Sequence, residues 1–239
     1  MTNRRIFLKI ITILAALCAA LTLQAGAFAV SPGGVFIADV TPKDIDEHTS
    51  ALLYAIADGA DRVITAVPER KTDAKIRAYL KTNGGWSLRF ETMGFFGRNG
   101  ISGNKREGDG TTPEGIFTFG RAFGVADDPG STLPYAKLTS NDVWVDDPAS
   151  SMYNQWADAS SPGRDWKSAE RLIEYAEEYK YAVSINYNTD PVIPGLGSAI
   201  FLHCSTGRPT AGCVSAPESA MIFFLAFIDE ETKIAIGNY

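Results

Sequence analysis

The residues best suited to covalent chemistry lie together in one segment, HCSTGRPTAGCVSAP, which runs from His203 to Pro217. The segment holds one of the two histidines of the chain and two of its three cysteines. A histidine base beside a thiol lowers the thiol pKa and yields a nucleophilic thiolate. The segment is therefore a candidate site for nucleophilic catalysis, with Cys213 as the nucleophile and His203 as the base.

The elements around these two residues are predicted to bring them together. An apolar run, SAIFLH, predicts a strand that ends at His203, and the glycines and the proline that follow predict a turn before Cys213. Gly212 has no Cβ, so a substrate carbonyl can come close to backbone N–H groups at that position. Those donors can stabilise an oxyanion.

Other interpretations of the same segment stay open. His203 and the cysteines can be ordinary packed residues, and Cys204 and Cys213 can form a disulfide that closes a small loop in an exported protein. A metal site is disfavoured, because structural zinc takes four ligands of the Cys or His kind and this segment offers only three.

The N-terminus has the pattern of a secretory signal peptide, which predicts a leader at 1–29 and a protein outside the cytoplasm. Basic residues precede an apolar run from Ile10 to Leu23, and Ala27-Phe28-Ala29 fits a small-x-small cleavage site. An uncleaved membrane anchor is the alternative, although the run is short for a span of roughly 20 residues.

The charge of the chain disfavours nucleic acid as a partner. The whole sequence has 22 basic and 28 acidic residues, a net charge of −6. Removal of the leader takes away three of the basic residues and none of the acidic ones, so the exported part has a net charge of −9. Such a surface does not favour phosphates or anionic lipid headgroups.

The hydrophobic pattern predicts a mostly β protein with helical decoration, in a single domain at 61–239. Residues 30–60 are predicted to form a linker and a short helix that begins near Asp44. Strands are predicted at 62–67, 86–97, 181–188, 198–203 and 233–237, with another around Phe117 and Phe119. Helices are predicted at 165–179 and 218–227, while TDAKIRAYLK fits either a helix or a strand.

A segment at 127–165 is rich in Asp, Ser, Pro and Gly and contains embedded aromatic residues. A loop of this length inside one domain favours a binding surface or a lid. Trp144 and Trp156, together with Tyr187, are candidates for the wall of a substrate groove. Burial in the core is the alternative for each of the three.

The segment that begins at His203 resembles the active-site signature of the L,D-transpeptidases, in which a His and a variable loop precede Ser/Thr-x-Gly-Cys and an aliphatic residue. Here the second part of the signature runs from Thr210 to Val214. Three more segments are similar to stretches of this family: KREGDGTTPEGIFTFG, WVDDPASSMYNQW and YNTDPVIPGLGSAIFLH. The resemblance covers roughly 61–239 and implies an L,D-transpeptidase-type β-sandwich or mixed-sheet catalytic domain of an exported branch.

The resemblance implies an enzyme that forms 3→3 cross-links in peptidoglycan or exchanges its terminal D-amino acids. Cys213 would attack the carbonyl between the third residue of a stem tetrapeptide and its terminal D-Ala, and His203 would carry the thiol proton to the leaving D-Ala. The amine of a neighbouring stem would then take the acyl group from the thioester. The resemblance also implies that a backbone carbonyl orients the imidazole, that the Gly212 and Cys213 N–H groups form the oxyanion hole, and that no cofactor is required.

Substrate contacts are expected from four residues: Arg208, Thr210, Ser215 and Tyr187. Many family members carry His where this chain has Ala211, and Arg or Asn where it has Ser215. Two other functions stay open beside transfer: a cysteine peptidase or amidase of the same fold, in which water takes the thioester, and a non-catalytic wall-binding module. The expected partners are the stem peptides of the cell wall, with a membrane contact only through an uncleaved leader.

Overall fold

A computed structural model describes residues 45–239. The predicted leader and the predicted linker before Asp44 lie outside the described residues. Within the described part, no helix combines the length and the apolar character needed to cross a bilayer.

Two α-helices and fourteen strands make up the regular structure of residues 45–239. The helices are α1 (Glu47–Ala57) and α2 (Glu218–Phe227), and one-turn 3-10 helices lie at Leu172–Glu174 and Glu178–Lys180. The longer strands are β1 (Arg62–Pro68), β2 (Asp73–Thr82), β3 (Gly85–Phe95) and β6 (Gly115–Gly124). The shorter strands are β4 (Ile101–Ser102), β5 (Thr112–Pro113), β7 (Tyr135–Lys137), β8 (Asp142–Val145), β9 (Trp156–Asp158), β10 (Ala169–Arg171), β11 (Ala182–Ile185), β12 (Phe201–Cys204), β13 (Val214–Ala216) and β14 (Lys233–Ile236).

The main sheet contains nine strands in the order β11-β12-β13-β3-β2-β1-β14-β6-β7. Strand β11 also pairs with β6, so the sheet closes on itself. The largest apolar cluster joins residues of the sheet with residues of α2, among them Ile64, Ile76, Leu202 and Phe224. The predicted mostly β class and the mixed sheet are confirmed.

The ladder between β12 and β13 determines which side chains share a face. The two strands are parallel, with Leu202 opposite Val214 and His203 opposite Ser215. Side chains alternate between the two faces of a strand. Leu202 and Val214 therefore point into the main core, while His203 and Ser215 line a cavity on the other face.

A glycine allows β13 to lie against β3, where Ser215 pairs with Phe95. A Cβ on Gly94 would lie only 1.9 Å from the backbone oxygen of Ser215. Because no side chain fits that gap, the position of β13 depends on a glycine at this point of β3.

Most of the predicted elements are confirmed, including the strands that contain Val63, Trp86, Phe119 and His203 and the helix at 218–227. The first helix begins at Glu47, three residues later than predicted, because the Asp46 side chain caps it by accepting the Thr49 N–H at 2.8 Å. TDAKIRAYLK forms the long strand β2, which pairs antiparallel with both β1 and β3.

The predicted helix at 165–179 is wrong. Three of its residues form β10, in which Ala169 pairs with Val145 and Arg171 pairs with Val143 of β8. The remainder contains one 3-10 turn and enters a second at Glu178. Pairing with a neighbouring strand overrides the helix propensity of this segment, which is a weak preference at each residue.

The segment at 127–165, predicted to be a binding surface or a lid, is ordered and contains β7, β8 and β9, and its Asp146 lines the cavity described below. Strands β8 and β9 from this segment form a small sheet with β10. The Trp144 side chain is buried, donates from Nε1 to Asn154 at 2.9 Å and packs edge-on against Phe201. Trp156 packs against Phe123 in the same cluster. Trp144 therefore takes the core role that was the alternative, and Trp156 packs against the same cluster as a partly buried side chain.

Candidate active site

A cavity of about 360 Å³ opens on the face of the β12–β13 ladder that is turned away from the main core. His203, Cys213 and Ser215 line it, together with the loop between the two strands and residues of the segment at 98–108. The structure therefore brings together the predicted base and the predicted nucleophile in one cavity.

His203 is 5% exposed and is held by two contacts. Its Nδ1 lies 2.8 Å from the backbone oxygen of Cys204, and the Tyr179 ring packs edge-on against the imidazole at 5.6 Å between centroids. Because a carbonyl oxygen only accepts, Nδ1 carries the proton and Nε2 is the basic nitrogen of the neutral ring. Burial lowers the pKa of His203 below its ordinary value of 6.5, so the ring is neutral at pH 7.

Cys213 lies directly before β13 and is 7% exposed. Its Sγ donates to the Ala199 oxygen at 3.3 Å and accepts the Phe201 N–H at 3.4 Å. Burial and the negative charge of Glu170 raise the pKa of this thiol to about 12, against the opposing effects of the Phe201 N–H and Lys105. The thiol is thus protonated in the resting protein, and it needs a base to become a nucleophile.

Cys204 has no part in this cavity. It lies on the opposite face of β12, in the main core, and both Cys204 and Cys213 are free thiols. Burial raises the pKa of the Cys204 thiol to about 11. The disulfide alternative is therefore wrong. Cys204 points into the main core, as Val214 does, whereas Cys213, one residue before Val214, points to the cavity, because successive side chains of extended backbone alternate between faces.

The loop before Cys213 determines which backbone donors are available. The Gly212 N–H donates to the Thr210 hydroxyl at 3.1 Å, and that hydroxyl donates to the Cys213 oxygen at 2.7 Å. The Cys213 N–H has no acceptor among residues 45–239. Of the two predicted oxyanion donors, only the N–H of Cys213 is free; the Gly212 N–H is engaged inside the loop.

The four predicted substrate-binding residues have different positions. Ser215 is 1% exposed, lines the cavity, and its Oγ has no partner in the described part of the chain. Thr210 lines the cavity but uses its hydroxyl within the loop. Arg208 lies at the mouth with its side chain 74% exposed, 3.8 Å from Glu178.

Tyr187 is not brought to the site. Its hydroxyl donates to the Leu196 oxygen at 2.7 Å, its ring packs edge-on against Phe117, and it is not among the residues that line the cavity. The position of Tyr187 does not fit the predicted substrate contact. This residue instead stabilises the segment that leads into β12.

Several charged residues of the cavity were not predicted. Lys105 and Glu107 belong to KREGDG, whose composition is typical of a solvated loop. Asp146 directly follows β8. Glu170 lies in the segment wrongly predicted as a helix and accepts the Tyr179 hydroxyl. Burial raises the pKa of Glu170 to about 7, against the opposing effect of that hydrogen bond.

No set of three or more His, Cys, Asp or Glu residues within 45–239 is arranged to hold a metal ion. The cavity contains a base, a thiol and a backbone N–H, which are the three kinds of group that acyl transfer through a thioester requires: a proton acceptor, a nucleophile and a donor for the developing oxyanion.

Comparison with known proteins adds a family relationship. A sequence model described as the L,D-transpeptidase catalytic domain (YkuD) matches residues 62–236. No protein among the curated sequences matches the chain.

Two solved structures match the chain at low similarity. One is described as the Ldtfm-avibactam carbamoyl enzyme: it is 13% identical, with a TM-score of 0.35, and the match covers 75% of this chain and 49% of that one. The other is an L,D-transpeptidase from Mycobacterium smegmatis, with 12% identity and a TM-score of 0.34, and the match covers 74% and 58%. The match thus spans roughly half the length of these structures.

Proposed function

Because the chain belongs to the L,D-transpeptidase catalytic-domain family, we propose that it is an exported peptidoglycan acyltransferase that forms 3→3 cross-links through an acyl-enzyme on Cys213. The observation that carries this proposal is the shared face of β12 and β13. There His203, with Nδ1 anchored on the Cys204 oxygen, and Cys213 line one cavity. The donor is a stem tetrapeptide and the acceptor is an amine of a neighbouring stem.

In the first half-reaction, Nε2 of His203 takes the thiol proton and the sulfur of Cys213 adds to the carbonyl carbon that precedes the terminal D-Ala. The tetrahedral oxyanion accepts a hydrogen bond from the Cys213 N–H. When the C–N bond breaks, the imidazolium gives its proton to the leaving amine of D-Ala, and a thioester remains.

In the second half-reaction, the acceptor amine adds to the thioester carbonyl and loses a proton to His203. The C–S bond breaks, the imidazolium returns the proton to the sulfur, and the new amide leaves. A free D-amino acid in place of the neighbouring stem gives exchange. Water in the same place gives hydrolysis, which is the alternative function on the same site.

Export is proposed from the sequence pattern at 1–29. Expression of the full chain in a secreting bacterial host, followed by N-terminal sequencing of the extracytoplasmic protein, tests it. A mature N-terminus at Val30 supports a cleaved leader, and retention of the whole chain in the membrane fraction supports an uncleaved anchor.

The function is tested by incubating the mature chain with purified disaccharide-tetrapeptides and identifying the products by mass spectrometry. Dimers that appear with release of D-Ala support transfer, and tripeptide monomers without dimers support hydrolysis. Cys213→Ala is the matched control, because Cys213 contributes the reacting sulfur. If neither product forms with the wild-type chain, the wall-binding module becomes the better function.

A further inference from the structure

Lys105 is a buried cation beside the proposed nucleophile. Lysine is almost never fully buried unless it is paired. Lys105 is 5% exposed, and it is the only Lys, Arg, Asp or Glu among the buried residues of the described chain. It comes from the KREGDG loop, about 100 residues before the catalytic segment. Its position therefore requires a specific reason.

Two short contacts hold the Lys105 ammonium in place. Nζ donates to the Thr111 oxygen at 2.8 Å and to Asp109 Oδ1 at 3.1 Å. Asp109 is itself fixed, since its carboxylate accepts the N–H groups of Arg106 at 2.7 Å and Thr111 at 2.8 Å. An ammonium has three N–H donors, so these two contacts leave one for another acceptor.

The ammonium lies against the backbone that precedes the nucleophile. A Cβ built on Gly212 would be 3.3 Å from Lys105 Nζ and 3.1 Å from the Thr111 oxygen. Lys105 and Cys213 line the same cavity. The absence of a side chain at Gly212 thus allows the ammonium to approach the site where negative charge develops.

The same region lacks one of its predicted donors. The Gly212 N–H is engaged by the Thr210 hydroxyl, so of the two predicted donors only the Cys213 N–H is free. Loss of one donor from an oxyanion hole typically costs about 10²–10³ in kcat, so a cation at this place would offset a substantial loss.

We infer that Lys105 is a further catalytic residue, whose ammonium stabilises negative charge first on the Cys213 sulfur and then on the carbonyl oxygen of the bound donor. This role rests on the proposed function. The charged groups that line the cavity with Lys105 are the carboxylates of Glu107, Asp146, Glu170 and Glu178 and the guanidinium groups of Arg98 and Arg208. Both arginines are exposed, so Lys105 is the one buried cation among the residues that line the cavity.

The test compares Lys105→Met with Lys105→Arg and with a control, Lys137→Met, whose exposed side chain pairs with Asp127 outside the cavity. The first readout is the rate at which neutral iodoacetamide alkylates Cys213 at pH 8, measured by peptide mass mapping. Alkylation requires thiolate but neither donor nor turnover, so this readout remains valid even if the proposed function fails.

Loss of the ammonium should raise the pKa of the Cys213 thiol, which the charge of Lys105 lowers. We expect Lys105→Met to slow alkylation of Cys213 about tenfold or more, because each unit by which that pKa rises lowers the thiolate fraction tenfold. Lys105→Arg and Lys137→Met should stay within about threefold of the wild-type rate. On the tetrapeptide donor, Lys105→Met should lower kcat with little change in KM, as expected for loss of an interaction made mainly in the transition state.

Folding is monitored in the same experiment through Cys204, which lies in the main core and stays slow to alkylate only while the protein is folded. If Met is not tolerated at this position, Lys105→Gln replaces it, because the amide keeps a donor and removes the charge. A folded Lys105→Met or Lys105→Gln protein that alkylates at the wild-type rate overturns the role of Lys105, whatever its turnover.

Discussion

The backbone oxygen of Cys204 accepts the Nδ1–H of His203 at 2.8 Å, and this contact decides which nitrogen of the ring is basic. The proton on Nδ1 is held by a neighbouring residue of the same strand, so Nε2 keeps its lone pair. No acidic partner is required, because the carbonyl fixes both the tautomer and the orientation of the ring.

The first prediction concerns the pH dependence of His203. Burial lowers its pKa below 6.5, so the acid limb of kcat/KM should have its midpoint below pH 6.5. As the pH falls through that range the unfolded chain binds a proton before the folded one does, so the folded protein should also lose stability. His203→Gln should lower turnover about 10²–10⁴-fold and remove this part of the stability loss. Donor turnover and chemical denaturation between pH 5 and 8 measure both effects, and a midpoint above pH 7 would contradict the prediction.

The second prediction concerns Ser215, whose buried Oγ has no partner. A buried hydroxyl without a partner costs about 1–3 kcal/mol of stability, so Ser215→Ala should leave the free energy of unfolding unchanged or raise it. If the hydroxyl binds the donor, the same change should lower kcat/KM about tenfold, the equivalent of roughly 1.4 kcal/mol.

Ser87→Ala is the matched control for this experiment. Ser87 is also buried, but its hydroxyl donates to the Leu80 oxygen at 3.2 Å in the β2–β3 hairpin. Its removal should cost about 1 kcal/mol of stability and leave turnover intact. A Ser215→Ala protein with full activity would mean that the hydroxyl makes no contact with substrate.

The third prediction concerns Glu170, which has a pKa of about 7 in the folded protein, mainly because of burial, against 4.5 as its ordinary value. Between these two values the folded state holds a proton that the unfolded state has lost, so stability should fall as the pH rises from 4.5 to 7. Glu170→Gln should remove this loss, raising the free energy of unfolding at pH 8 by up to about 3 kcal/mol, from 1.36 kcal/mol for each pKa unit. Near pH 4.5 the two proteins should be equally stable.

The same substitution should speed alkylation of Cys213 at pH 8, because the charge of Glu170 helps to raise the pKa of that thiol. Glu170→Gln and Lys105→Met are therefore expected to shift one rate in opposite directions. Glu177→Gln, at an exposed position of the same segment, is the control and should change neither stability nor alkylation. Equal slowing by both cavity substitutions would indicate general damage rather than electrostatics.

The parts of the site that were predicted from the sequence are those whose residues lie close together along the chain. His203 lies near the end of β12, and Cys213 lies directly before β13, ten residues later. The loop between them carries the chain back to the start of β12, because the two strands are parallel, and this return places both side chains on one face. The strands around them were predicted for a related reason, since their apolar residues follow a clear pattern along the chain.

The parts that were missed depend on distant pairing. Lys105 lies against Gly212 although the two residues are about 100 positions apart, and the Thr112 hydroxyl of the following segment donates to the Cys213 oxygen. The local pattern of KREGDG does not predict that contact. Glu170 enters the cavity because β10 pairs with β8, whereas its local sequence favours a helix. Tyr187 shows the opposite error: it is close to His203 in sequence, but its hydroxyl is bound to Leu196.

The most direct test of the proposed function is to trap the covalent intermediate. The mature chain is mixed with a stem tetrapeptide donor without acceptor, quenched in acid, and examined by intact-mass and peptide-mapping mass spectrometry. We predict one acyl group, equal to the donor less D-Ala, on the peptide that contains Cys213, and none with Cys213→Ala. An acyl group on another residue, or product formed at the wild-type rate by Cys213→Ala, would contradict a thioester at this sulfur.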